Sequence, residues 1–129
     1  MAEEETLKLM KEAGCHTIMY GVESGSDDIL KKYSKDTSCD QIKKAFDLCK
    51  KIGLKTVATF VLGLPDDNES TIMETIRFAR EIEPDYASIN VYVPRMHTKL
   101  REEVLAKGLV SPDVQVMDQT GTFGVVGTN

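Results

Sequence analysis

The polar residues best placed to do chemistry stand where apolar runs end. Glu23 and Ser24 close CHTIMYGV, the turn GLPDDN closes LKTVATFV, and Asn90 lies near the end of DYASINVYV. Side chains of one parity share a strand face. If Glu23 faces inward, so do Gly21, Met19 and Thr17; Val61 and Thr59 then accompany Gly63, while Tyr92 and Ser88 accompany Asn90. A carboxylate, an amide, and glycines that let a ligand approach the backbone would converge on one mouth. The competing reading of Glu23 is a plain turn acid stabilising the start of the next helix.

Other reactive side chains carry weaker patterns. Cys15, Cys39 and Cys49 are odd in number and irregularly spaced, with no C-x-x-C or C-x-x-H pair, and His16 and His97 lie far apart. That usage fits reduced thiols rather than a disulfide framework or a local metal motif. Cys49 falls on an apolar helical stripe and reads as a small buried hydrophobe. Cys39 sits in a first helical turn, where the helix terminus is expected to lower its pKa modestly. Asp66, Asp67 and Glu69 suggest a divalent cation less strongly than they suggest acids ahead of a helix. Ser26 and Asn68 are expected as helix caps.

The elements that must position these residues alternate. EEETLKLMKEAG places Leu7, Met10 and Ala13 on one helical stripe and stops at Gly14. The apolar, β-branched or aromatic run after it suits a strand buried on both faces. Ser26 precedes a short helix carrying Asp27 and Asp28 that breaks near Lys35. Ser38 and Gln41 then form a capping box for a helix with Ile42, Ala45, Phe46, Cys49 and Ile52 at helical spacing, closed by Gly53. A second strand ends at Gly63 and Pro65. The next helix carries Ile72, Ile76, Ala79 and Ile82 as its buried stripe and ends at Pro84. A third strand stops at Pro94, and Leu100 to Lys107 are expected to be helical. This alternation predicts βαβ crossovers and a parallel sheet, whose ligand sites lie at the C-terminal strand ends, here 23–26, 63–67 and 90–94.

At 129 residues with 41% hydrophobic content, the chain suffices for one modest core. A net charge of −5 argues against broad nucleic-acid or anionic-membrane contact. No apolar run approaches the roughly 20 residues of a membrane span, and the acidic start lacks signal-peptide character, so the expected compartment is the cytoplasm.

Three stretches in order, LKLMKEAGCHTIMYGVESGSDDIL, TFVLGLPDDNESTIMETIRFA and PDYASINVYVP, resemble the last half of a radical S-adenosylmethionine (SAM) enzyme core, as in methylthiotransferases and cobalamin-binding members. The resemblance implies an α/β fold of parallel strand-helix units forming half of a TIM-like partial barrel, over 1–110, with 111–129 as a flexible tail or edge strand. In the complete enzyme a [4Fe-4S] cluster reduces SAM to a 5′-deoxyadenosyl radical. The resemblance assigns Glu23 and Ser24 to the ribose or methionine part of SAM, Val61, Leu62, Gly63 and Pro65 to its adenine, and Asn90 to further contacts. Departures stand out: Asp66 replaces a Gly, Asp67 a Glu and Asn68 a Thr, and PRMHTKL replaces a PYPGTPL-like segment. The C-x-x-x-C-x-x-C cluster motif is absent, so the chain is expected to hold no cluster and to be inactive without the N-terminal half of the barrel. Open sheet edges and an apolar inner face predict self-association, because burial contributes about 25 cal/mol per Å². The reading from a different class is a non-catalytic α/β module acting through protein association.

Overall fold

The computed structural model describes residues 3–33, 36–95 and 97–112. Its elements run α1 (Glu4–Glu12), β1 (Thr17–Glu23), α2 (Asp27–Lys32), α3 (Cys39–Ile52), β2 (Lys55–Leu62), α4 (Glu69–Glu81), β3 (Tyr86–Val91) and α5 (Lys99–Ala106). The strands form one parallel sheet in the order β1-β2-β3. The tail expected over 111–129 lies outside the described residues apart from its first two positions.

Local chemistry sets the helix limits. Ser38 and Gln41 make the reciprocal capping box of α3, and Gly53 closes it in the left-handed conformation at φ 81°. Asn68 caps α4 through the Thr71 amide while the Thr71 hydroxyl accepts from the Asn68 amide. Ser26 occupies the N-cap position of α2, yet its side chain makes no capping bond. It is buried instead, and its amide donates to Ser24 Oγ at 3.1 Å. Thr98 caps α5 by accepting from the Arg101 amide.

The helices cover one face of the sheet. Thr56, Ala58 and Phe60 of the central strand are buried against them, while Val57, Thr59 and Val61 on the other face are half-buried. The main core joins Val22, Leu30, Ile42, Phe46, Ala58, Phe60, Phe78 and Ile82. Leu7, Cys49 and Leu54 form a second cluster under α1. Such burial stabilises by roughly 25 cal/mol per Å² of apolar surface.

The stripe of α4 differs from the expected one. Thr75 and Phe78 are its buried residues, with Ile82 just beyond, whereas Ile72, Ile76 and Ala79 are half-buried. The helix rolls towards Gly25, where an added Cβ would stand 2.5 Å from Phe78 Cβ and 2.7 Å from Thr75 Cα. Gly25 is therefore a packing contact, where any side chain would push α4 away. Strand β3 departs too: it is exposed on both faces, with Tyr86 at 72% on one, and Ile89 at 52% and Val91 at 45% on the other.

Candidate functional site

The three strand ends and their following turns meet at the C-terminal edge of the sheet. Strand β1 pairs in register with β2 from Thr17↔Lys55 to Gly21↔Thr59, then shifts so that Glu23 lies opposite Phe60. Glu23 itself has a left-handed backbone, φ 69°. The bulge and the turn of the chain remove Glu23 from the column of Met19 and Gly21, so simple alternation does not reach it. Glu23 thereby takes, at the mouth, a backbone shape that costs an L-residue roughly 1–2 kcal/mol.

A cavity of about 190 Å³ opens there between Glu23, Ser24, Val61 and Leu64, with Ile29, Leu30 and Tyr33 as its helical wall. The predicted Glu23, Ser24 and Val61 are thus brought together. Gly63 and Pro65 are buried in the turn that follows β2 and shape the cavity through Leu64. Leu62 has the parity of Phe60 and pairs with Val91, while Asn90 pairs with Val61 one strand over, outside the cavity lining. The Asn90 amide nitrogen donates to Ser88 Oγ at 3.4 Å.

Ser24 serves the fold as well as the mouth. It is 1% exposed, its hydroxyl lies 3.2 Å from Thr75 Oγ1 and it accepts from the Ser26 amide. The Gly25 amide donates to the same Thr75 oxygen at 2.9 Å. A threonine in the middle of α4 therefore pins the loop after β1, a role no local pattern signals.

The two aspartates of the turn face different ways. Asp67 is 2% exposed; its Oδ2 accepts from the Gly63 and Leu64 amides, both at 3.0 Å, and its Oδ1 accepts from the Thr71 hydroxyl at 2.8 Å. This carboxylate does for the turn what backbone ladders do for strands, and it lets Gly63 hold φ 80°. Asp66 points outward and accepts from Tyr33 Oη at 2.8 Å, pairs with Lys32 at 2.5 Å and meets Lys107 at 3.4 Å. Partial burial opposes its ionisation, but Lys32, the Tyr33 hydroxyl and Lys107 outweigh it and hold the carboxyl below the usual range. Burial first, then the hydrogen bond to Asp66 and the Asp66 charge, push Tyr33 up.

Cys39 corrects the sequence expectation. Its thiol is pushed up to about 12, by burial first and then by the Asp27 carboxylate, which also accepts from the Cys39 amide at 2.7 Å. The nearby acid outweighs the positive helix terminus. Cys49 is fully buried with its sulfur 3.4 Å from Tyr20 Oη, and Cys15 Sγ faces the Thr17 carbonyl. Among the described residues, no three His, Cys, Asp or Glu side chains converge as a metal site, and no helix is long and apolar enough to cross a membrane.

Residues 1–79 match the sequence model of the Radical SAM superfamily. The chain is 36% identical over 107 residues to an uncharacterized methyltransferase from Pyrococcus horikoshii, covering 83% of this chain and 23% of that protein. It is 32% identical over 104 residues to the anaerobic magnesium-protoporphyrin IX monomethyl ester cyclase of Rubrivivax gelatinosus, covering 81% of this chain and 19% of that protein. The fold superposes with TM-score 0.70 at 16% identity on the radical SAM methyltransferase TsrM from Kitasatospora setae, solved with tryptophan and a SAM analogue, over 83% of this chain and 21% of that one. A second TsrM structure, with cobalamin and a [4Fe-4S] cluster bound, superposes at TM-score 0.69 and 17% identity over 87% of this chain and 22% of that one. This chain spans about a fifth of the length of the curated relatives it matches. On the family match, the identity and the parallel strand-helix units together, this chain belongs to the radical SAM superfamily.

Proposed function

We propose that this chain is the SAM-supporting half of a radical SAM oxidoreductase or transferase core, working in the cytoplasm with the other half of the barrel. The observation that carries this is Glu23, held in a left-handed conformation at a strand end beside an apolar cavity. Strain retained at a ligand-facing position is a mark of function. The donor set fits SAM: a carboxylate suits hydroxyl or ammonium donors, and Val61 and Leu64 suit a flat heterocycle. Glu23 and Ser24 take the ribose or methionine portion, Val61, Leu62, Gly63 and Pro65 the adenine side, and Asn90 a further polar contact. In the complete enzyme, reduced SAM supplies a 5′-deoxyadenosyl radical.

The residues do not fit an iron-sulfur cluster. Cys39 and Cys49 lie on α3 with Cys49 sealed in the core, and Cys15 precedes β1, so no set of thiolates faces one point. The cluster is accordingly assigned to the other half of the barrel, and the isolated chain to an inactive state.

The test is Glu23→Gln in the complete protein. Loss of the charged acceptor should weaken S-adenosylhomocysteine binding about tenfold, with the melting temperature unchanged, as expected for a hydrogen bond to a charged group. Equal affinity in calorimetry would remove Glu23 from the site.

A further inference from the structure

We propose that Tyr33 and Asp66 form a clasp that sets the width of the cavity beside Glu23, making both of them positioning residues for SAM. The proposal rests on the SAM-supporting reading above. The cavity has two sides that belong to different strand-helix units: Glu23, Ile29 and Leu30 come from the first, Val61 and Leu64 from the second. Tyr33 lines the cavity from the first unit, and its hydroxyl donates to Asp66 of the second unit at 2.8 Å. A hydrogen bond therefore spans from one wall to the turn that carries the other.

The two ends of the clasp differ in rigidity. On the turn, Asp67 already ties the Gly63 and Leu64 amides to Thr71, so Asp66 projects from a fixed base. On the other side α2 is only six residues long and depends on outside contacts for its position. Lys32 pairs with Asp66 at 2.5 Å, and Lys107 beyond α5 reaches the same carboxylate at 3.4 Å. One aspartate thus gathers α2 and the end of α5 onto the β2 turn. The lysines are about half exposed, so solvent screens them and their contribution is small. The phenol-carboxylate bond is charge-assisted and partly buried, and it carries the positioning.

The experiment measures S-adenosylhomocysteine binding by calorimetry on the complete protein and on Tyr33→Phe, Asp66→Ala, Asp66→Asn and the Tyr33→Phe/Asp66→Ala pair. Tyr33→Phe keeps the ring in the wall, and Asp66→Asn keeps an oxygen for the hydroxyl. The clasp predicts about a tenfold loss for Tyr33→Phe and for Asp66→Ala, no further loss in the pair, and substantial recovery in Asp66→Asn relative to Asp66→Ala. Additive losses in the pair, or Asp66→Asn as damaging as Asp66→Ala, would overturn the clasp. Undiminished binding by Tyr33→Phe would do the same while leaving the SAM reading intact. Absence of binding by the unmodified complete protein would instead remove both.

Discussion

Replacing Asp67 by alanine should destabilise the fold more than any other single change in the mouth. The side chain is 2% exposed and accepts three hydrogen bonds, two from backbone amides that have no alternative within the turn. The Thr71 hydroxyl would keep a second acceptor, the Asn68 carbonyl at 3.1 Å, and lose little. Each orphaned buried amide costs about 1–3 kcal/mol. Two such amides set a loss of about 2–6 kcal/mol, lowered by the carboxylate desolvation that alanine no longer has to meet, so about 3 kcal/mol is expected. Asp67→Asn keeps an oxygen for both amides but loses the charge and the acceptor that faces the Thr71 hydroxyl, which retains the Asn68 carbonyl, for an expected cost of about 1 kcal/mol. Urea denaturation followed by circular dichroism measures both, with an unchanged m-value marking a change in stability rather than in the unfolded state. A loss below about 1 kcal/mol for Asp67→Ala would show that water replaces the carboxylate, and the account of the turn would fail.

Gly25→Ala should cost at least about 2 kcal/mol, because its Cβ would stand within 2.7 Å of Thr75 Cα and α4 would have to retreat; an unchanged melting curve would contradict that packing. Cys39, with its thiol pushed up to about 12, stays protonated at neutral pH. Its alkylation by iodoacetamide, followed by peptide mapping, should go on rising about tenfold per pH unit above pH 9, and a plateau near pH 9 would sink the assignment. The isolated chain should associate as its concentration rises, since Met19 at 68%, Tyr86 at 72%, Ile89 at 52% and Val91 at 45% exposure leave apolar surface and an open edge uncovered. A single monomeric species across sedimentation runs from micromolar to millimolar would refute this.

What the sequence by itself determined is local. The order of helices and strands, the Ser38 capping box, the Asn68 cap and the left-handed glycines at 14 and 53 follow from interactions within four or five residues, which any one sequence displays. The parallel sheet followed too, because strand-helix alternation leaves few other ways to pair the strands and cover a sheet face with the intervening helices, although β1, expected to be buried on both faces, buries only Val22. The residues at the mouth were legible as types at strand ends, but their orientation was not. The register shift at Glu23 depends on how β1 meets β2, and the roll of α4 onto Gly25 depends on a contact about 50 residues away. Likewise, nothing in the pair Asp66 and Asp67 distinguishes the one that faces Tyr33 from the one that seals the turn. Those choices were decided only in the tertiary structure, where burial and an available partner select among conformations that the chain alone leaves nearly equal in energy.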